Sequence, residues 1–84
     1  MTKLLYFARM RQIIGKAEEN IAIPADVTTV SGLIDFLKGR DDAYASAFAD
    51  PRIIRAAIDQ AHAPLDASIA GAREIAFFPP VTGG

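Results

Sequence analysis

The 84-residue chain contains no cysteine and a single histidine, His62. Without cysteine there is no thiol nucleophile, no thiolate metal site, no disulfide and no persulfide carried on the chain itself. That usage fits a reducing cytosol. One imidazole excludes a histidine-based metal site within one chain, and we read His62 as a surface or sheet-edge residue. A triad built on Ser31, Ser46 or Ser68 is the only standard nucleophilic arrangement left, and none of these serines stands in a Gly-x-Ser-x-Gly context. Gly39 and Gly71 are isolated, so no glycine-rich loop can cradle a phosphate. The formal net charge is −1 with acids and bases interspersed, which leaves no basic footprint for nucleic acid. The N-terminus, Met1 to Met10, has no apolar run long enough for a signal peptide or a membrane span. There are no repeats, linkers or low-complexity segments. A cytoplasmic protein with no membrane or nucleic-acid partner is expected.

Half of the residues (51%) are hydrophobic, enough for one compact core, and the length leaves no room for a second. Lys3 to Ala8 is a short apolar run that reads as a strand. Arg9 to Lys16 reads as a loop with one helical turn. Glu19 to Ile23 alternates polar and apolar and stops at Pro24, so it pairs with the first strand as an antiparallel hairpin. Val30, Leu33, Ile34 and Leu37 have the spacing of one helix face, with Thr28 or Thr29 as the cap and Gly39 as the stop. Asp41 to Phe48 reads as a second short helix ended by Asp50-Pro51, with Asp41-Asp42 serving as cap and first-turn charge rather than as a carboxylate pair for catalysis. Ile53 to Ile58 reads as a strand, Asp59-Gln60 as a turn and Glu74 to Phe78 as the last strand. The order β-β-α-(α)-β-β predicts an α+β fold, a mixed sheet with helices packed on one face, in a domain spanning residues 1–78.

The last eight residues carry the clearest functional signal. Phe77 and Phe78 can anchor in a core, whereas Pro79 and Pro80 lack backbone donors and neither continue a helix nor pair inside a sheet. Gly83 and Gly84 have no Cβ and can enter a channel too narrow for other residues. Residues 79–84 therefore read as an extended tail of ~20 Å reach whose end, the Gly84 carboxylate, is the reactive group. Val81 to Gly84 offer little apolar area, and weak order is expected there without a partner. A carboxylate is a poor electrophile. Adenylation by ATP turns it into a mixed anhydride that a sulfur donor can attack, leaving a thiocarboxylate nucleophile at the chain end. The machinery for those steps is not in this sequence, so a partner must supply it. Arg9 and Arg11, close to the first strand, are candidates to meet a partner's carboxylates or are simply solvated.

Together, FFPPVTGG at the end, LLYFARMRQIIGK with its Arg11, TTVSGLIDFL and RIIRAAIDQ resemble the small, sulfur-carrier subunit family of molybdopterin synthase over essentially the whole chain. The resemblance implies a ubiquitin-like β-grasp fold in which the first and last strands lie side by side at the sheet centre. It implies adenylation of Gly84 by an E1-like enzyme using ATP and magnesium, with no cofactor on this chain, then reaction with a sulfur donor protein. It further implies insertion of Pro79, Pro80, Val81, Thr82, Gly83 and Gly84 into the large synthase subunit of a heterotetramer. There sulfur passes to cyclic pyranopterin monophosphate to build the dithiolene. Phe7, Arg11 and Phe78 are implied at the large-subunit interface, and we expect one of the two phenylalanines to be exposed in the free chain as part of an apolar patch. Departures from the family pattern are Gly71-Ala72-Arg73-Glu74 in place of Asp-Gly-Asp-Glu, Asp59 in place of asparagine, and His62 at a position often apolar. The competing readings are a carrier or ubiquitin-like modifier of another pathway, such as the thiamine type, and a binding module whose diglycine is never activated.

Overall fold

The structure, a computed structural model, describes residues 1–80. Strand β1 spans Thr2–Tyr6, helix α1 Ala8–Ile14, β2 Glu18–Ile21, α2 Val30–Lys38, α3 Asp42–Ala47, β3 Arg55–Ile58, β4 Ala61–Ala63 and β5 Glu74–Phe78, with a 3-10 turn at Pro51–Ile53. The five strands form one sheet in the order β2-β1-β5-β3-β4. β1 and β5 run parallel at its middle, with Leu4 opposite Ile75 and Tyr6 opposite Phe77; the other pairings are antiparallel. This is the β-grasp arrangement, and the expected central pairing of first and last strands is present.

Strand alternation sends Leu4, Tyr6, Ile75, Phe77 and Ala56 to one face, where α2 covers them with Val30, Leu33, Ile34 and Leu37, all buried. Aromatic contacts continue this core around the last strand: Phe77 stacks on Tyr6 at 6.2 Å and meets the edge of Phe48 at 5.0 Å. The α2 cap is Thr29, whose hydroxyl accepts from the Gly32 amide at 3.0 Å, and the α3 cap is Asp41, which accepts from Ala43 at 2.7 Å. Both match the sequence reading.

The ends of β1 and β2 fall one or two residues from those read in the sequence, and three elements differ from it in kind. The segment after β1 is a seven-residue helix rather than a loop with one turn. Met10 and Ile14, one turn apart, are both buried in the core, and burial of that pair is what sustains so short a helix. Gly15 closes it at φ 88°, its amide bonding the Arg11 carbonyl at 2.8 Å. Ile53 and Ile54 are not strand: Asp50 accepts from the Arg52 amide at 3.0 Å and Pro51 opens a 3-10 turn, so β3 begins only at Arg55. Finally, β4 is a strand the sequence did not announce. Asp59 (φ 50°) and Gln60 (φ 73°) make a two-residue turn with both residues left-handed, which folds Ala61–Ala63 back onto β3.

Candidate functional site

All three helices leave the second face of the sheet bare. It carries Leu5, Ala57, Ala76 and Phe78 in adjacent register positions, because Leu5 lies opposite Ala76, Ala76 opposite Ala57, and Phe78 opposite Arg55. Phe78 is half-buried against the His62 ring, 5.3 Å away and edge-on. His62 is exposed on edge strand β4, where the sequence reading put it. On the other flank Lys3 and Glu18 form an exposed ion pair at 3.3 Å.

Phe7 continues this face. Its backbone is extended (φ −120°, ψ 153°), its amide bonds the Phe77 carbonyl at 3.1 Å, and its side chain is 48% exposed. Of the two phenylalanines proposed for a partner surface, Phe7 is the one that faces solvent. Ala8 then turns the chain into α1 with φ 52°, a left-handed conformation that costs a residue with a Cβ about 1–2 kcal/mol. Arg11 is exposed on α1 and lines an open basin of about 520 Å³ with Gln12, Gly15 and Lys16. Pro79 and Pro80 follow β5 at this same end and are half-buried. Val81, Thr82, Gly83 and Gly84, and with them the expectation of weak order, lie outside the described residues.

Two polar devices hold this platform, and the sequence reading found neither role. Glu19, on the covered side of β2, accepts hydrogen bonds from the Tyr6 hydroxyl at 2.7 Å and from the Tyr44 hydroxyl, and lies 3.5 Å from Lys16 and 3.7 Å from Arg40. Burial opposes its charge, but the two phenol donors and the two cations outweigh burial and hold the carboxyl below the ordinary range. Burial, then the bond to Glu19, pushes both tyrosine hydroxyls up. The cluster ties α3 to the edge of the sheet. At the far end, the Asp59 carboxylate accepts from the amides of Arg73 and Glu74, each at 3.0 Å, while its own amide donates to the Glu74 carbonyl at 2.8 Å. Asp59 thus fixes where β5 starts, and an asparagine carbonyl would accept the same bonds. The substitution at this position leaves the clamp in place.

The match to known proteins runs across this whole framework. A model of the ThiS family matches residues 4–84. The chain belongs to the ThiS family. A relative in Escherichia coli (strain K12), a molybdopterin synthase sulfur carrier subunit, is 37% identical to this ThiS-family chain over 84 residues, all of both chains. A protein of the same name in Haemophilus influenzae is 36% identical, again over the full length of both. Among solved structures, small archaeal modifier protein 1 of H. volcanii superposes with a TM-score of 0.71 at 29% identity, covering 95% of this chain and 97% of that one. The ubiquitin-like fold and the family expected from the sequence both stand.

Proposed function

We propose that this protein is the sulfur carrier of a molybdopterin synthase, acting through Gly84 as a C-terminal thiocarboxylate. The observation that carries the reading is the junction at Phe78: the central strand, rooted by Phe77 in the aromatic core, runs straight into Pro-Pro-Val-Thr-Gly-Gly. Full-length similarity to two sulfur carrier subunits supports it. An E1-like enzyme with magnesium-bound ATP adenylates the Gly84 carboxylate and releases pyrophosphate. A persulfide on a sulfur donor protein attacks the acyl carbon and AMP leaves. A second thiol of the donor then reduces the S–S bond of the resulting acyl disulfide, so the donor ends as a disulfide and Gly84 as a thiocarboxylate. The thiocarboxylate sulfur then bonds a side-chain carbon of cyclic pyranopterin monophosphate inside the large subunit as a C–O bond of that carbon breaks and its oxygen leaves. Water cleaves the resulting thioester, keeping the sulfur on the pterin and returning the Gly84 carboxylate. A second loaded chain supplies the other sulfur of the dithiolene.

In this scheme the folded body does no bond-making. It presents the tail in one direction, and the bare face with Phe7 and Phe78 docks the large subunit, while Arg11, Pro79, Pro80, Val81 and Thr82 guide the chain into the partner. Mass spectrometry tests the first half: incubation with an E1-like enzyme proven on another carrier of the family, magnesium-ATP and a sulfur donor exchanges one terminal oxygen for sulfur. An unchanged mass overturns the reading. Dithiolene formation from pyranopterin then distinguishes this pathway from another carrier pathway, and a Gly84-to-lysine adduct on cell proteins would assign the chain to the modifiers instead.

A further inference from the structure

Four of the six arginines gather at the end of the sheet where β5 releases the tail. Arg9 and Arg11 lie on α1, which starts one residue after Phe7, itself bonded to Phe77. On the other side of Pro79, Arg55 stands opposite Phe78, and its guanidinium bonds the carbonyls of Arg52 and Ile54 at 3.3 and 3.1 Å. All four are exposed. Among the described residues no carboxylate lies within ion-pair distance of Arg9, Arg11 or Arg55; only Arg52 is paired, with Asp50 at 3.0 Å. Phe7 and Ile53, two of the three exposed large hydrophobic side chains among the described residues, lie two residues before Arg9 and one after Arg52 in the chain. A chain of net charge −1 therefore concentrates positive charge at the end of the sheet where β5 stops, with Phe7 just before the first of these arginines and Ile53 between the last two in the chain.

Resting on the carrier reading, we propose that this arginine collar is an electrostatic guide for proteins whose tail-accepting channel has an acidic rim around an apolar patch. The guanidinium groups of Arg9, Arg11 and Arg55, which have no carboxylate partner among the described residues, offer forked donors to a partner's carboxylates, and Arg52 adds to them through its pair with Asp50. Such charges around an exit raise the rate of encounter and set orientation, while the apolar contacts at Phe7 and Ile53 hold the complex once formed. Arginine clusters also bind RNA, but the overall negative charge and the apolar side chains close to the arginines in the chain favour a protein rim.

The test measures association of the full chain with its E1-like enzyme and with the large synthase subunit by stopped flow, at 50 mM and 500 mM NaCl. For the wild type the rate constant falls about tenfold or more across that range. The pairs Arg9→Glu/Arg11→Glu and Arg52→Glu/Arg55→Glu each slow association about tenfold at low salt and flatten the salt dependence. Glutamine versions, which keep hydrogen bonding without charge reversal, show a smaller drop of the same kind, and thermal melts verify that every variant is folded. Arg73→Glu, at the start rather than the end of β5, changes the rate less than about twofold. Reversed variants that associate at the wild-type rate, or a wild-type rate that ignores salt, overturn the collar while leaving the carrier reading intact. No association of the wild type with either partner overturns the carrier reading and the collar with it. Single-stranded RNA that binds the wild type and not the reversed variants reassigns the collar to nucleic acid.

Discussion

The two faces of the sheet differ in what covers them, and consecutive residues of one strand divide between them. Phe77 points into the covered face, fully buried between Tyr6 and Phe48, whereas Phe78 lies half-buried on the bare face with the His62 ring edge-on to it. On the covered side the buried apolar side chains form one cluster, and most of the apolar burial that favours folding is collected there. On the bare side two nearly buried alanines, Ala57 and Ala76, lie among half-buried Leu5 and Phe78 and exposed Phe7, with the Lys3–Glu18 ion pair on the flank. A surface of that kind contributes little to the isolated domain and is available for association. The same strand therefore serves stability with one phenylalanine and binding with the next.

The sharpest separation of binding from chemistry comes from the tail. Deleting Gly84 shortens the reach by ~3.5 Å, against a tolerance of about 0.5 Å for productive placement of reacting groups. Sulfur transfer is expected to vanish while thermal stability and docking to the large subunit persist. Dithiolene formation at the normal rate by the truncated chain would sink the carrier proposal.

The division between the two faces is tested directly by paired substitutions. Phe77→Ala is expected to cost about 3–5 kcal/mol, a large share of the stability of so small a domain. Phe78→Ala, which removes a cross-strand contact on the open side, costs about 1 kcal/mol or less but weakens docking. Urea unfolding and titration with the large subunit measure the two effects. Equal destabilisation by both would erase the distinction.

Smaller effects sharpen it at the edges of the covered face. Glu19→Ala strands the hydroxyl of buried Tyr6 and should destabilise by about 1–3 kcal/mol. Because folding lowers the Glu19 carboxyl, its contribution is present above the unfolded value near 4.5 and is lost as pH falls through the lower folded value. The tyrosines have the opposite sign: folding raises them above 10.0, so their share is complete below that pH and disappears as pH rises through the raised values. Urea midpoints from pH 3 to 7 should rise with pH in the wild type and rise less steeply in Glu19→Gln. Asp59→Ala should cost about 1–3 kcal/mol by uncapping the Arg73 and Glu74 amides, whereas Asp59→Asn should be nearly neutral, and the contrast is read from the same midpoints. The smallest effect is a gain. Ala8→Gly relieves the left-handed strain beside Phe7 and should raise stability by about 1 kcal/mol or less, after the entropy of glycine is subtracted. A loss on thermal melting would show that the turn at Ala8 is not strained.

By itself the sequence determined the parts whose signals are local. The periodic face of α2, its cap to within Thr28 or Thr29, the cap at Asp41, the strand Glu74–Phe78 and the Pro-Pro-to-diglycine ending are all legible, because propensity, capping and proline geometry act over a few neighbouring residues. Tertiary contacts decided the rest. Met10 and Ile14 make α1 a helix only because the core accepts them, and Ala61–Ala63 become a strand only because the turn at Asp59 and Gln60 lays them against β3. Glu19 reads as one more polar residue of an alternating strand until Tyr44, 25 positions away, folds over it. Arg9 and Arg55 are 46 positions apart and come to the same end of the sheet because β1, which leads into α1, and β3, which starts at Arg55, flank β5 on its two sides. Charge and hydrogen bonding act through space, and only the order β2-β1-β5-β3-β4 brings those residues together.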